Sequence, residues 1–178
     1  TEGWGPATLS WRTGRPVEWH RVCSSTNRLA RARCAEVGAG RRALPVVVAD
    51  HQTEGRGRRG RSWEAEAGAN LLFSVVLRPQ LPPHEAPRAV LAWAAAMAEV
   101  LDVGLKWPND LVVREGSGMR KLGGLLAELE NSGEGAPFIV LGVGINVNQV
   151  HFEGLPDATS LAQLGRSVED RAALLGRL

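Results

Sequence analysis

Two kinds of apolar pattern divide this chain. Pro45 to Asp50 (PVVVAD) and Asn70 to Leu77 (NLLFSVVL) run apolar without alternation and favour β-branched residues, as strands buried on both faces do. Pro87 to Leu101 instead repeats Val90, Trp93, Ala94, Met97 and Leu101 at helical spacing. Val17 to Val22 reads as a short strand. Ser24 or Ser25 then caps a helix of about 13 residues that stops near Gly38 and Gly40. The second half predicts strands at Gly104–Trp107, Leu111–Val113, Lys121–Leu129 and Phe138–Val147. The composition around Leu122–Glu130 favours a helix, but Gly123 and Gly124 tip it to strand. Ser167 to Asp170 resembles a capping box opening a final helix, whose apolar face holds Val168, Leu174, Leu175 and Leu178. The order β-α-β-β-α-β-β-β-β-α predicts an α/β or α+β fold with a largely antiparallel sheet and helices covering one face. Residues 1–16, with Gly3, Gly5, Pro6, Gly14 and Pro16, read as a lead-in to a single domain over 17–178.

Composition narrows the class. At 178 residues and 44% hydrophobic, the chain can build one core without disulfide or metal staples. No apolar run approaches the roughly 18 residues of a membrane helix, and no signal peptide is visible. Cys23 and Cys34 are the only cysteines, which fits a reduced, cytoplasmic protein better than a disulfide framework. A formal net charge of +2 argues against a nucleic-acid coat, so any polyanion must meet a local cluster. The cations are lopsided: nineteen arginines against two lysines, Lys106 and Lys121. An ammonium is a compact point charge where guanidinium is a planar fork, so the two lysines stand out as candidates.

The local cluster is Gly55-Arg-Gly-Arg-Arg-Gly-Arg-Ser62, directly after the strand ending at Asp50. Its glycines let backbone approach an anion, and its guanidinium groups can pair with phosphate or carboxylate. Four like charges so close predict a loop that is mobile without an anion. The same residues match a phosphate-binding P-loop with Arg61 in the lysine position. Gly68, Asn70 and a following strand, where a helix is required, exclude that reading. Lys106-Trp-Pro-Asn-Asp110 and Arg120-Lys-Leu-Gly-Gly124 each flank a predicted strand, where a side chain can be held rigidly at a cleft. Asp110 could recruit a divalent metal or orient Lys106, and Asn109 offers a donor and an acceptor. Ser25-Thr26-Asn27 opens the first helix with three short polar side chains, as helix cap or ligand contact. Gly142-Val-Gly144-Ile-Asn146 ends a strand with glycines on which a flat ligand could lie. His20, His51, His84 and His151 are scattered, and no Cys/His or Ser/His pairing suggests a nucleophile.

Taken in order, Ser25-Thr-Asn27, Gln52-Thr-Glu-Gly-Arg-Gly-Arg-Arg-Gly60, Trp63, Gly68-Ala-Asn-Leu71, Lys106-Trp-Pro-Asn-Asp110, Arg120-Lys-Leu-Gly-Gly124 and Gly142-Val-Gly-Ile-Asn146 resemble the biotin–protein ligases (biotin–[acetyl-CoA-carboxylase] ligases) over residues 17–150. The resemblance implies a mixed, mainly antiparallel sheet with helices, shared with class II aminoacyl-tRNA synthetases and lipoate ligases. It implies a two-step reaction: biotin and MgATP give biotinyl-5′-AMP and pyrophosphate, and a lysine of a biotin carboxyl carrier protein then takes the biotinyl group. Ser25, Thr26, Asn27 and Gln52 would hold the ring end of biotin. Arg56, Gly57 and Arg58 would belong to a loop closing on biotin and its adenylate. Arg59 and Arg61 would face nucleotide phosphate, with Trp63 on the same side. Lys121 would hold the biotin carboxylate, while Lys106, Asn109 and Asp110 would serve phosphate, Mg²⁺ and adenylate. Gly142, Gly144 and Asn146 would line the floor under biotin and adenine. The residue types agree with that chemistry, because a carboxylate attacking a phosphate needs positive charge where negative charge grows.

Some members carry an N-terminal winged-helix repressor domain, for which residues 1–16 are too few, so no DNA-binding domain is expected in this chain. Most members continue into a small β-barrel domain beyond the point where this chain stops at Leu178. The segment Arg114–Met119 is expected to be a flexible surface turn, and homodimers occur in the family. Two other readings remain at this point: a lipoate or related acyl ligase on the same fold, and a nucleic-acid module using residues 55–61. The second predicts binding that falls steeply with salt.

Overall fold

The computed structural model describes residues 14–37, 44–79, 81–130 and 138–178. The two unalternating apolar runs sit inside one seven-stranded sheet: β2 (Val46–Ala49) and β3 (Leu71–Leu77) are joined there by β1 (Val17–His20), β4 (Gly104–Lys106), β5 (Asp110–Glu115), β6 (Gly118–Glu130) and β7 (Phe138–Ile145). Strand order is β1-β2-β3-β7-β6-β5-β4, with β1 and β2 parallel and each other neighbouring pair antiparallel. Three helices complete the fold: α1 (Thr26–Val37), α2 (Ala86–Leu101) and α3 (Arg171–Arg177). The predicted element order and the mixed, mainly antiparallel sheet are therefore observed.

The helices do not share one face, contrary to expectation. Val46, Val48, Phe73, Val75, Leu141 and Val143 pack with Met97 and Leu101 of α2 and Leu174 and Leu175 of α3. The alternate residues Val47, Val76 and Val140 pack with Ala30 and Cys34 of α1. A strand with both faces covered has no reason to alternate in polarity, which is why these runs read as uniformly apolar. Burial of α1 over only one end of the sheet leaves the rest of that face open.

Three local expectations also change. Arg114–Met119 is a surface turn as expected, but its arms are paired as the tip of the β5–β6 hairpin, which reverses at Gly116 with φ +57. The last helix is capped by Asp170, whose carboxylate accepts from the Ala172 and Ala173 amides, and not from Ser167. At α1 the side chain on the first free amide comes from elsewhere: Gln52 Oε1 accepts from Thr26 N at 2.8 Å. The lead-in before residue 14 and the helix stop at Gly38 and Gly40 lie outside the described residues. No helix among them is long and apolar enough to cross a membrane.

One tie between α1 and the sheet edge carries a pH prediction. Arg33 grips Glu18 with two prongs, Nε to Oε2 at 2.8 Å and Nη2 to Oε1 at 2.7 Å. Those hydrogen bonds hold the Glu18 carboxyl below its ordinary value of 4.5, against an opposing push from burial. A carboxylate favoured by folding adds stability above its ordinary value, and that contribution disappears as pH falls through the lowered one. Urea denaturation should find wild type more stable than Glu18→Gln at neutral pH, with the gap closing below pH 4.5.

Candidate active site

The open part of the sheet on the α1 side is the floor of a cavity of about 670 Å³. Alternation along the strands decides what faces it. Register rows bring Ser74, Gly142 and Leu126 side by side, with Gly144 and Gly124 in the next row. The two β7 glycines are small for a specific reason. A Cβ on Gly142 would fall inside the van der Waals surface of Asn27, 2.9 Å from its Cγ, and one on Gly144 would lie 2.5 Å from Trp63 Cε2. Side chains of this protein, rather than a ligand alone, therefore occupy the space above the glycine floor.

Polar groups close one end of the cavity. Ser25, Thr26 and Asn27 are each 3% exposed, although all three border it. Thr26 is tied to Gln52, and Ser74 Oγ lies 2.7 Å from Thr26 Oγ1 and 2.6 Å from Asn27 Oδ1. The Asn27 amide donates to Glu128 Oε2 at 2.7 Å and to Leu126 O at 3.4 Å. Both ends of that amide are committed, so its orientation is set. The Ser25 hydroxyl and the Gln52 NH₂ make no hydrogen bond among the described residues. They are donors on offer at the closed end.

Cations gather at the other end. Opposite registry in the β4–β5 hairpin puts Lys106 beside Asp110, and Lys121 Nζ lies 2.7 Å from Asp110 Oδ1. Lys121 reaches this face because of a bulge. Leu111 pairs with Gly123 but Val112 with Lys121, leaving Leu122 unmatched, so Lys121 and Gly124 end up on the same side although three residues apart. In a regular ladder with Leu122 paired, Lys121 would fall opposite Val113, on the core side of the sheet. Asn109 is pinned by Leu125, its Nδ2 donating to Leu125 O at 2.7 Å, and its Oδ1 accepts from Arg58 at 3.3 Å. Trp63 lies under Lys121, whose ammonium is 5.5 Å from the ring centroid. The indole Nε1 of Trp63 is buried without a partner among the described residues. A buried N–H left unpaired costs about 1–3 kcal/mol, so an acceptor arriving there would be favoured.

The arginine loop arches over both ends. Its backbone is tied at the neck by Trp63 N to Gly55 O at 2.9 Å, with Gly57 N to Arg61 O at 2.7 Å inside. Arg59 takes a left-handed conformation, φ 58 and ψ 35, that few non-glycine residues adopt. Arg56, Gly57, Arg58, Arg59 and Arg61 all border the cavity.

Of the residues singled out from sequence, Ser25, Thr26, Asn27, Gln52, the loop residues, Trp63, Lys106, Asn109, Asp110, Lys121, Gly142 and Gly144 meet around this one cavity. Asn146 does not border it. It continues the alternation of Gly142 and Gly144, but beyond the strand end it turns to donate to Thr159 O at 3.0 Å and is 5% exposed. Sequence reading missed Ser74 and Glu128. A lone serine inside the apolar β3 run and a glutamate two and four residues beyond Leu126 and Gly124 were the available signals. Trp107, quoted only as part of a motif, stands 76% exposed at the cavity rim. No thiol takes part: Cys34 is buried, and burial pushes the Cys23 thiol up, away from the reactive thiolate.

Residues 19–146 match the Biotin/lipoate A/B protein ligase family. A biotin–[acetyl-CoA-carboxylase] ligase of Mycobacterium tuberculosis is 44% identical over 143 residues, 75% of this chain and 50% of that protein. The bifunctional ligase/repressor BirA of Bacillus subtilis is 34% identical over 173 residues, 91% of this chain and 51% of its own. The chain thus spans about half the length of these two relatives. Among solved structures, the biotin protein ligase from Aquifex aeolicus in complex with biotin and ATP superposes with a TM-score of 0.71 at 31% identity, covering 90% of this chain and 66% of that one. With the family match running over most of the chain and through every wall of the cavity, this chain belongs to the biotin/lipoate A/B protein ligase family.

Proposed function

We propose that this chain activates biotin as biotinyl-5′-AMP and passes the biotinyl group to a lysine of a biotin carboxyl carrier protein. One observation carries the reading: a closed polar end with uncommitted donors and a cluster of cations share a single cavity. The ureido group of biotin offers a carbonyl to the Ser25 hydroxyl and the Gln52 NH₂, and one N–H to the lone pair of Asn27 Oδ1 that Ser74 leaves open. The valerate tail then leads toward Lys121. In the first step a carboxylate oxygen attacks the α-phosphorus of ATP and the bond to pyrophosphate breaks. In the second a neutral lysine amine attacks the acyl carbon, AMP leaves, and the amine gives up a proton.

Lys121 has three donors, so it can keep Asp110 and still hold the substrate carboxylate. Lys106, Arg58, Arg59 and Arg61 would neutralise the phosphates, leaving two anions able to meet. Asp110, the carboxylate among the described residues that line the cavity, would help hold Mg²⁺, which when bound would offset phosphate charge. Among the described residues there is no group of three or more His, Cys, Asp or Glu that could hold a metal by itself. That fits an ion held mainly by substrate phosphates and water. The same reading places the reaction in the cytoplasm, where ATP is supplied and Cys23 and Cys34 stay reduced.

The family also contains lipoate ligases, and the closed end discriminates. A dithiolane ring has no carbonyl or N–H for Ser25, Gln52 and Asn27, so seating it would strand buried polar groups. Calorimetric titration should find biotin bound more tightly than lipoate, and biotin-dependent exchange of labelled pyrophosphate into ATP should follow. Equal or preferred lipoate binding overturns the assignment. Arg58→Ala should speed loss of the adenylate about tenfold while changing affinity for free biotin far less. Rapid-dilution release measurements against equilibrium biotin binding read the two separately, and equal losses would remove Arg58 from the closing loop.

A further inference from the structure

We infer that Glu128 is a positioning residue that latches the arginine loop through Arg56 and fixes the Asn27 amide. The inference rests on the proposed ligase reading for its ligand, but its geometry stands alone. Glu128 lies on β6 opposite Val140, one row beyond the cavity floor, with its side chain 21% exposed. Its carboxylate meets three side chains from two other elements, α1 and the loop. Asn27 Nδ2 of α1 donates to Oε2 at 2.7 Å. Arg56 Nη2 of the loop lies 3.1 Å from Oε1 and 3.3 Å from Oε2. Arg31 Nη2 of α1 lies 3.4 Å from Oε1 and is held more closely by Glu130, at 2.6 Å.

These contacts do different work. Arg31 has its own partner in Glu130 and stays on α1 whatever the loop does. Arg56 belongs to a loop whose arginines repel one another, and Glu128 draws that loop down over the polar end. Asn27 could present its amide either way round, but a carboxylate on one side repels the carbonyl oxygen, leaving Oδ1 for Ser74 and the cavity. One carboxylate therefore couples the seat for the ligand ring to the loop above it.

Trypsin reads the latch directly, because the loop holds four arginines and cleavage follows the population of the open form. Without ligand, Glu128→Gln should raise the rate of nicking within residues 56–61 about fivefold, the scale of a half-exposed ion pair. Arg56→Gln keeps three cleavage sites and should give the same rise, and the double variant should add little to either. Arg31→Gln should not accelerate cleavage, since it leaves Glu128 to Arg56. Unchanged nicking in Glu128→Gln overturns the latch, and so does equal acceleration by Arg31→Gln, which would mean general loosening. Added biotin should protect the wild-type loop. Faster nicking without that protection keeps the latch and removes the biotin reading. In the full reaction Glu128→Gln should raise KM for biotin about fivefold with little change in kcat, as loss of ground-state and transition-state binding alike requires.

Discussion

Lys121→Ala should slow formation of the adenylate about 100- to 1,000-fold, the usual effect of deleting one group placed against developing negative charge. The fold should survive. Lys121 is held in the sheet by its backbone, which donates to Asp157 O at 2.6 Å and accepts from Thr159 N at 2.9 Å, and alanine keeps both bonds. Its side chain is 39% exposed and its pairing with Asp110 partly solvated, so the stability loss should stay within about 1 kcal/mol. Lys121→Arg should restore only part of the rate, because a planar fork cannot serve Asp110 and a second carboxylate from one point. Pyrophosphate exchange measures the rate, and thermal melting the fold. An alanine variant with near-normal exchange would mean that the carboxylate is held elsewhere.

Gly142→Ala should damage both the fold and the site. The added methyl must displace Asn27, a residue 3% exposed with its amide bonded to Ser74, Glu128 and Leu126. Overpacking of this kind costs about 1–3 kcal/mol. Moving Asn27 also breaks the polar end, and losing one hydrogen bond to a buried partner corresponds to about 5- to 100-fold in affinity. Denaturant melts and biotin titration should register both losses together. A variant that bound biotin normally would show that Asn27 is not part of the ring's seat.

Several elements were readable before any fold was known. The β2 and β3 runs were legible because strands covered on both faces need no polar positions, and Gly123 with Gly124 correctly turned a helix-like composition into β6. Most residues that border the cavity were legible as well, because an arginine loop, two rare lysines and a polar helix start are local patterns of charge and hydrogen-bonding groups. Helix placement was not. The side of the sheet on which α1 rests depends on which alternate residues of β2, β3 and β7 meet it, and a uniformly apolar strand hides that choice.

By itself the amino-acid order determined the elements, their sequence and the stock of charges available for chemistry. Tertiary structure alone decided how those charges meet. A one-residue bulge at Leu122 turns Lys121 from core to cavity, and strand alternation stops short of Asn146, whose amide turns to Thr159. Glu128 acquires its role only when α1, β6 and the loop come within hydrogen-bond reach of one carboxylate. Such contacts join residues up to 101 positions apart, and short-range propensity carries no information about encounters at that separation.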